Sequence, residues 1–199
     1  MKIVCLDMEG VLTPEIWHHV AARTQIKELN LTTRDVKDYR ELMDMRVQVC
    51  RNNHVTLEKI QSYISELDVF PGARKFLDWI RERYQLVILS DTFEEFAGHF
   101  MGLLGRPSLL CHNISYNTTT SQLEYFIRQE NAKAKAVAAL KTLNVRILSA
   151  GDSYNDIHML KAADVATFFR APSNINEEFP EFGNLQAYEE LQEFISRSL

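Results

Sequence analysis

Apolar runs of strand length alternate along this chain with longer stretches in which apolar residues recur at helical spacing. Ile3 to Leu6, Leu86 to Leu89, Leu109 to Cys111, Val145 to Ala150 and Val165 to Phe169 each read as a strand, and Leu86 to Leu89 is a continuous apolar run of the kind buried in a parallel sheet. Between them the period changes. A helix is predicted from Glu15 to Gln25 after Pro14, a second from a Thr33-Arg34-Asp35 start to about Asn52, and a third from the Thr56 cap to about Glu66. Phe70-Pro71-Gly72 punctuates the chain, and helices follow to about Arg83, over Phe93 to Leu104, over Ala132 to Leu143, directly after residues 151–156, and over Tyr188 to Ser198. Residues 113–128, with the Asn117-Thr118-Thr119-Thr120-Ser121 turn, read as a hairpin, and residues 171–183 as irregular. Strands alternating with helices imply an α/β fold, a Rossmann-like parallel sheet with helices on both faces. Residues 14–68, which hold no strand pattern, form a small all-helical insertion after the first strand.

Polar residues gather where these apolar runs stop. Asp7 and Glu9 end the first, Ser90 and Asp91 the second, and Asp152, Asn155 and Asp156 follow Val145 to Ala150, while Lys133 opens the alanine-rich helix. In a parallel sheet these positions fall on one rim, where ligands collect. Each cluster alone also fits a polar turn or a helix cap. Taken together they describe a nucleophilic carboxylate with a second carboxylate beside it, a hydroxyl donor, a cation, and a distant carboxylate suited to a hard metal. Two residues of the insertion stand apart. Glu15, placed in the first turn of its helix, suits either the helix dipole or a ligand. Arg46 projects at the edge of the apolar stripe formed by Val36, Tyr39, Met43, Val47 and Cys50, where it either snorkels or clamps a carboxylate.

Composition narrows the classes. A net charge of −5 over 199 residues, with no long Lys/Arg run, argues against a nucleic-acid surface. The run from Lys2 to Leu12, interrupted by Asp7, is too short for a signal peptide, and no stretch reaches membrane-spanning length, so a cytoplasmic protein is expected. Its expected partners are small molecules, with the chain itself a monomer or homodimer. The three cysteines, Cys5, Cys50 and Cys111, form no Cys-x-x-Cys pair and read as small core residues. His18, His19, His54, His99, His112 and His158 share no metal spacing and read as surface or core residues.

The strand-end residues resemble the four motifs of the haloacid dehalogenase-like phosphotransferase superfamily: Asp7-Met8-Glu9-Gly10-Val11, Ser90, Lys133, and Gly151-Asp152-Ser153-Tyr154-Asn155-Asp156. The helical insertion with Glu15 and Arg46 resembles the phosphoserine phosphatase type. Glu9 in place of the usual second Asp, with Pro14-Glu15-Ile16-Trp17 and Ser90-Asp91-Thr92-Phe93, is similar to the bacterial bifunctional phosphoserine phosphatase/homoserine phosphotransferase group. The resemblance implies a core domain of residues 1–13 and 69–199 and a cap of residues 14–68. It implies Mg²⁺ held by Asp7, the Glu9 backbone carbonyl and Asp152, with Asp156 orienting the site from behind. It further implies Asp7 as nucleophile, Glu9 as general acid and base, and Ser90, the Asp91 backbone N–H and Lys133 on the phosphoryl oxygens. Glu15 and Arg46 would receive the ammonium and carboxylate of phosphoserine, and Asn155 would contact substrate or phosphate. A phosphatase for another small phosphomonoester, or a non-catalytic receiver-like phospho-acceptor, are the competing readings.

Overall fold

The computed structural model describes residues 1–33, 35–36 and 38–199. Its strands are β1 (Lys2–Leu6), β2 (Gln85–Phe93), β3 (Ser108–Asn117), β4 (Gln122–Phe126), β5 (Arg146–Gly151), β6 (Val165–Phe169) and β7 (Asn184–Leu185). They form one seven-stranded sheet in the order β4-β3-β2-β1-β5-β6-β7, parallel except for the β3–β4 pair. The helices are α1 (Ile16–Thr24), α2 (Tyr39–Asn52), α3 (Leu57–Ile64), α4 (Ala73–Arg81), α5 (Glu94–Leu103), α6 (Ala132–Lys141), α7 (Ile157–Ala162), α8 (Ser173–Glu178) and α9 (Tyr188–Ser198).

Alternation along β1 explains the layering. Val4 and Leu6 face a core that includes Phe76 and Ile80 of α4, Phe96 and Phe100 of α5, and Leu191 and Ile195 of α9. Ile3 and Cys5 point the other way, to Val137 of α6, Leu160 of α7 and Ile175 of α8. A strand apolar on both faces is therefore the centre of a three-layer fold. The chain runs outward from β1 to β2 and β3, then returns to the other side of β1 at β5, so the strand order reverses beside β1. That reversal opens a crevice at the carboxyl ends of β1, β2 and β5.

The helices α1, α2 and α3 are the inserted segment, which holds no strand among the described residues. Its entry and exit lie side by side, with Phe70 N–H donating to the Leu12 carbonyl at 2.8 Å. Opposite the core, α2 rests on the β3–β4 hairpin, where the Tyr125 hydroxyl donates to Asp44 at 2.7 Å.

Several local expectations change. The helix expected from Thr33-Arg34-Asp35 starts at Tyr39, because Asp38 accepts from the N–H groups of Arg40 and Glu41 at 2.8 and 3.1 Å; Arg34 lies outside the described residues. Glu15 precedes α1 rather than sitting in its first turn. The strand expected to stop at Cys111 continues to Asn117, since it pairs with β2 along its first part and with β4 along its second. Residues 171–183 are not irregular: α8 and a 3₁₀ turn at Pro180–Phe182 lead into β7, anchored by Ile175 in the core and by Phe168 packed edge-on to Phe182. Such short elements have no periodicity to read. Cys5 and Cys50 are buried, with thiols pushed up to about 12 by burial, whereas Cys111 is half-buried. Among the described residues no helix is long and apolar enough to cross a membrane.

Candidate active site

Asp7 stands one residue beyond β1, and its N–H still reaches the Ala150 carbonyl of β5 at 3.0 Å. The ladder therefore fixes the backbone from which its carboxylate projects. Asp7 Oδ1 accepts from the Met8 N–H at 2.7 Å and lies 2.9 Å from Lys133 Nζ. Lys133, on the first turn of α6, is only 4% exposed, and the same nitrogen donates to Asp156 Oδ1 at 2.7 Å and lies 3.6 Å from Asp91 Oδ2. Burial works against its charge, yet Asp156, Asp7 and Asp91 together outweigh that and hold the ammonium well above its usual range. Asp7 is pushed the other way. Burial and the neighbouring Asp156 and Asp152 raise its carboxyl, against the pull of Lys133.

Oxygens of Asp7, Asp152 and Asp156 lie within 4.8 Å of one another, so three buried carboxylates converge beside one ammonium. Glycine makes the convergence possible. A side chain at Gly10, whose φ is +78°, would collide with the Asp152 carboxylate, and one at Gly151 would collide with Asp156. An all-oxygen, acid-rich donor set with too little positive charge of its own fits a hard divalent cation. Asp156 has little left to offer such an ion. Its Oδ2 accepts from the Asp152 and Ser153 N–H groups at 2.9 and 3.1 Å, while Oδ1 is held by Lys133.

On β2 the pairing slips. Leu89 faces Leu110 and Phe93 faces His112, so Ser90, Asp91 and Thr92 stand opposite Cys111 alone. This bulge lifts the three residues off the ladder at the rim of the crevice. Asn155 Nδ2 donates to Asp91 Oδ2 at 2.9 Å, and the Tyr39 hydroxyl of α2 donates to the Asp91 carbonyl at 2.6 Å.

The inserted helices supply the opposite wall. Glu9 Oε2 accepts from the Ile16 N–H at 2.9 Å. Burial, followed by the adjacent Glu15 carboxylate, pushes the Glu9 carboxyl up to about 8, with the Ile16 N–H working in the opposite direction. Arg46 does not snorkel. It is 5% exposed, its guanidinium lies 4.7 Å from the Trp17 ring centre, Nη2 donates to the Leu31 carbonyl at 2.7 Å, Nη1 donates to the Met43 sulfur at 3.7 Å, and buried Nε has no hydrogen-bond partner among the described residues. An aromatic face, one carbonyl and one weakly accepting thioether leave this guanidinium with donors to spare.

Asp7, Glu9, Glu15, Arg46, Ser90, Asp91, Lys133, Asp152 and Asn155 thus line one cavity of about 250 Å³, with Asp156 behind Lys133. The sequence reading missed three neighbours. Tyr39 looked like an ordinary apolar-stripe residue, Trp17 stood out only as part of the Pro14-Glu15-Ile16-Trp17 resemblance with no role of its own, and His112 belonged to a set of histidines without common spacing. His112 is buried, with Nε2 lying 3.7 Å from Asp91 Oδ1. Its signal was position alone, just after the strand run ending at Cys111.

The chain is similar to known proteins along its whole length. The chain is 47% identical over its full length to a protein named phosphoserine phosphatase from Pseudomonas syringae pv. tomato, of which it covers 84%. It is 45% identical, again over its full length, to one named phosphoserine phosphatase ThrH from Pseudomonas aeruginosa, of which it covers 97%. Among solved structures, phosphoserine phosphatase from T. onnurineus superposes with a TM-score of 0.74 at 22% identity, covering 98% of this chain and 94% of that one. A phospho-aspartyl intermediate analogue of phosphoserine phosphatase superposes with a TM-score of 0.71 at 18% identity, covering 97% and 98%. Residues 1–164 match the family model for haloacid dehalogenase-like hydrolases. A family model that spans most of the chain, and two relatives alike over its full length, establish the conclusion: the chain belongs to the haloacid dehalogenase-like hydrolase family.

Proposed function

We propose that this chain is a Mg²⁺-dependent phosphoserine phosphatase that works through a phosphorylated Asp7 and passes the phosphoryl group to water or to homoserine. The observation that carries the proposal is the two-sided cavity. One side holds Asp7, Ser90 and Lys133, suited to a phosphoryl group, and the other holds Glu15 and the under-partnered Arg46, suited to the ammonium and carboxylate of an amino acid. The names of the two Pseudomonas relatives support the same substrate.

In this reading Asp7 attacks phosphorus, the bond from phosphorus to the serine oxygen breaks, and protonated Glu9 gives its proton to that oxygen. A carboxyl raised to about 8 is suited to hold the proton beforehand. Ser90, the Asp91 N–H and Lys133 hold the phosphoryl oxygens and offset their charge. Asn155 contacts the same group, and residues 14–68 act as the cap that closes over it. In the second half Glu9 takes a proton from water or from the homoserine hydroxyl, whose oxygen bonds to phosphorus as the bond to Asp7 breaks. Asp7, the Glu9 backbone carbonyl and Asp152 would hold Mg²⁺, with Asp156 orienting them. When bound, that ion supplies positive charge that lets a phosphate approach Asp7.

Incubation with Mg²⁺ and phosphoserine tests the assignment. Phosphate release is expected, with phosphohomoserine appearing when homoserine is added. Hydrolysis of other phosphomonoesters with none of phosphoserine would overturn it.

A further inference from the structure

The Asp91 carboxylate has no task in the chemistry above, which uses only its backbone N–H, yet it lies at the centre of a network. Oδ2 accepts from Asn155 Nδ2 at 2.9 Å and lies 3.6 Å from Lys133 Nζ. Oδ1 lies 3.7 Å from Nε2 of His112. His112 is itself oriented, because its Nδ1 accepts from the Arg128 N–H at 3.3 Å, which leaves the ring hydrogen on Nε2, facing Asp91. On the other side, the Tyr39 hydroxyl holds the Asp91 carbonyl at 2.6 Å. The residue is thus pinned by a histidine on β3, a lysine on α6, an asparagine after β5 and a tyrosine on α2. The bulge in β2 permits this, because it frees Asp91 from the alternation of the ladder.

We infer that the Asp91 side chain is a positioning residue for phosphoryl transfer: oriented by His112, its carboxylate aims the Asn155 amide and the Lys133 ammonium at the phosphoryl group. The inference rests on the reading of this cavity as a phosphatase site. It concerns the phosphoryl side only, since Asp91 is held by groups around the phosphate site and by none of those assigned to the amino-acid end. Loss of the carboxylate would leave Asn155 Nδ2 without its acceptor and Lys133 with two carboxylates instead of three, and displacement of such groups by about 1 Å is enough for a tenfold to hundredfold loss.

The test compares wild type, Asp91→Ala, Asp91→Asn, Asn155→Ala and the Asp91→Ala/Asn155→Ala double variant, all with Mg²⁺, on phosphoserine and on p-nitrophenyl phosphate. Asp91→Ala is expected to lower kcat about tenfold or more on both substrates while KM for phosphoserine moves less than about threefold. Asp91→Asn, which keeps an acceptor for Asn155, recovers part of the loss. Adding Asn155→Ala to Asp91→Ala costs less than the product of the single losses, because one residue acts through the other. Should Asp91→Ala not fold, Asp91→Ser removes the same reach, and the same fall in kcat is expected. Unchanged kcat, losses that multiply fully, or an effect confined to KM for phosphoserine would each overturn the inference. A wild type that hydrolyses p-nitrophenyl phosphate and not phosphoserine sinks the substrate assignment instead, and the Asp91 comparison is still read on p-nitrophenyl phosphate. If it hydrolyses neither, both proposals fall.

Discussion

Lys133 Nζ lies 2.9 Å from Asp7 Oδ1 and 2.7 Å from Asp156 Oδ1, so one buried ammonium joins the carboxylate at the end of β1 to the one beyond β5. The nucleophile in the proposed reaction is therefore held in place by the same group that would offset charge on the phosphoryl oxygens. Asp7→Asn keeps much of this packing but removes the attacking oxygen's charge. Its turnover of phosphoserine should fall by at least about a thousandfold while the circular dichroism of the folded protein is retained. Full activity in this variant would end the covalent mechanism.

Divalent metal is expected to stabilise the fold as well as to support turnover, because Asp7 and Asp152 repel one another without it. At free Mg²⁺ a hundredfold above its Kd, linkage gives about 2.7 kcal/mol. For a chain of this size that is a rise in Tm of roughly 5–10 °C, reversed by a chelator. Calorimetry with and without Mg²⁺ measures it, and a Tm indifferent to the ion would argue that the acidic cluster does not bind it.

Arg46→Ala should raise KM for phosphoserine roughly tenfold to a hundredfold, the size of a lost charged hydrogen bond of about 1.5–3 kcal/mol. KM for p-nitrophenyl phosphate, which has no carboxylate, should change far less. Equal shifts on the two substrates would mean that Arg46 supports the Trp17 wall without gripping the amino acid.

The raised Glu9 carboxyl carries a pH signature in the metal-free protein. Its folded-state pKa of about 8 lies above the ordinary 4.5, so the folded state holds this proton more tightly than the unfolded chain does. The stability that comes with protonation is complete below about 4.5 and is lost as pH rises through about 8. Glu9→Gln keeps an acceptor for the Ile16 N–H and has no such loss. The Tm of the variant relative to wild type should climb from pH 5 to pH 8 and then level off. A difference independent of pH would show that position 9 titrates normally.

Glu9→Asp shortens the acid by one methylene, about 1.5 Å at the carboxylate. The longer arm suits a bulkier alcohol alongside water, so the ratio of phosphohomoserine to phosphate should fall in the variant. Product analysis with phosphoserine and homoserine together gives the ratio directly, and an unchanged value would remove acceptor choice from the role of Glu9.

Much of this architecture was legible before folding. Apolar runs such as Ile3 to Leu6 and Leu86 to Leu89 identify central strands because only a strand covered on both faces stays apolar at every position. Carboxylates at their ends identify the rim because a parallel sheet sends all its strands the same way. What lay outside reach was contact between residues distant in the chain. Tyr39 and Asp91 are 52 residues apart, and nothing in an apolar stripe says that one of its members will donate to the rim of another element. The spacing of Arg46 set it at the edge of an apolar face; whether it reached water depended on Trp17 of another helix.

The sequence by itself determined the layered α/β fold, the helical insertion, and the acids and lysine at the strand ends, since these follow from periodicity and local order. Tertiary structure alone decided the bulge that frees Ser90 to Thr92, the burial of Arg46, the approach of His112 to Asp91, and the short pairing of β7. Each of those is set by packing between segments, where geometry depends on several elements at once and no single stretch of sequence carries the information.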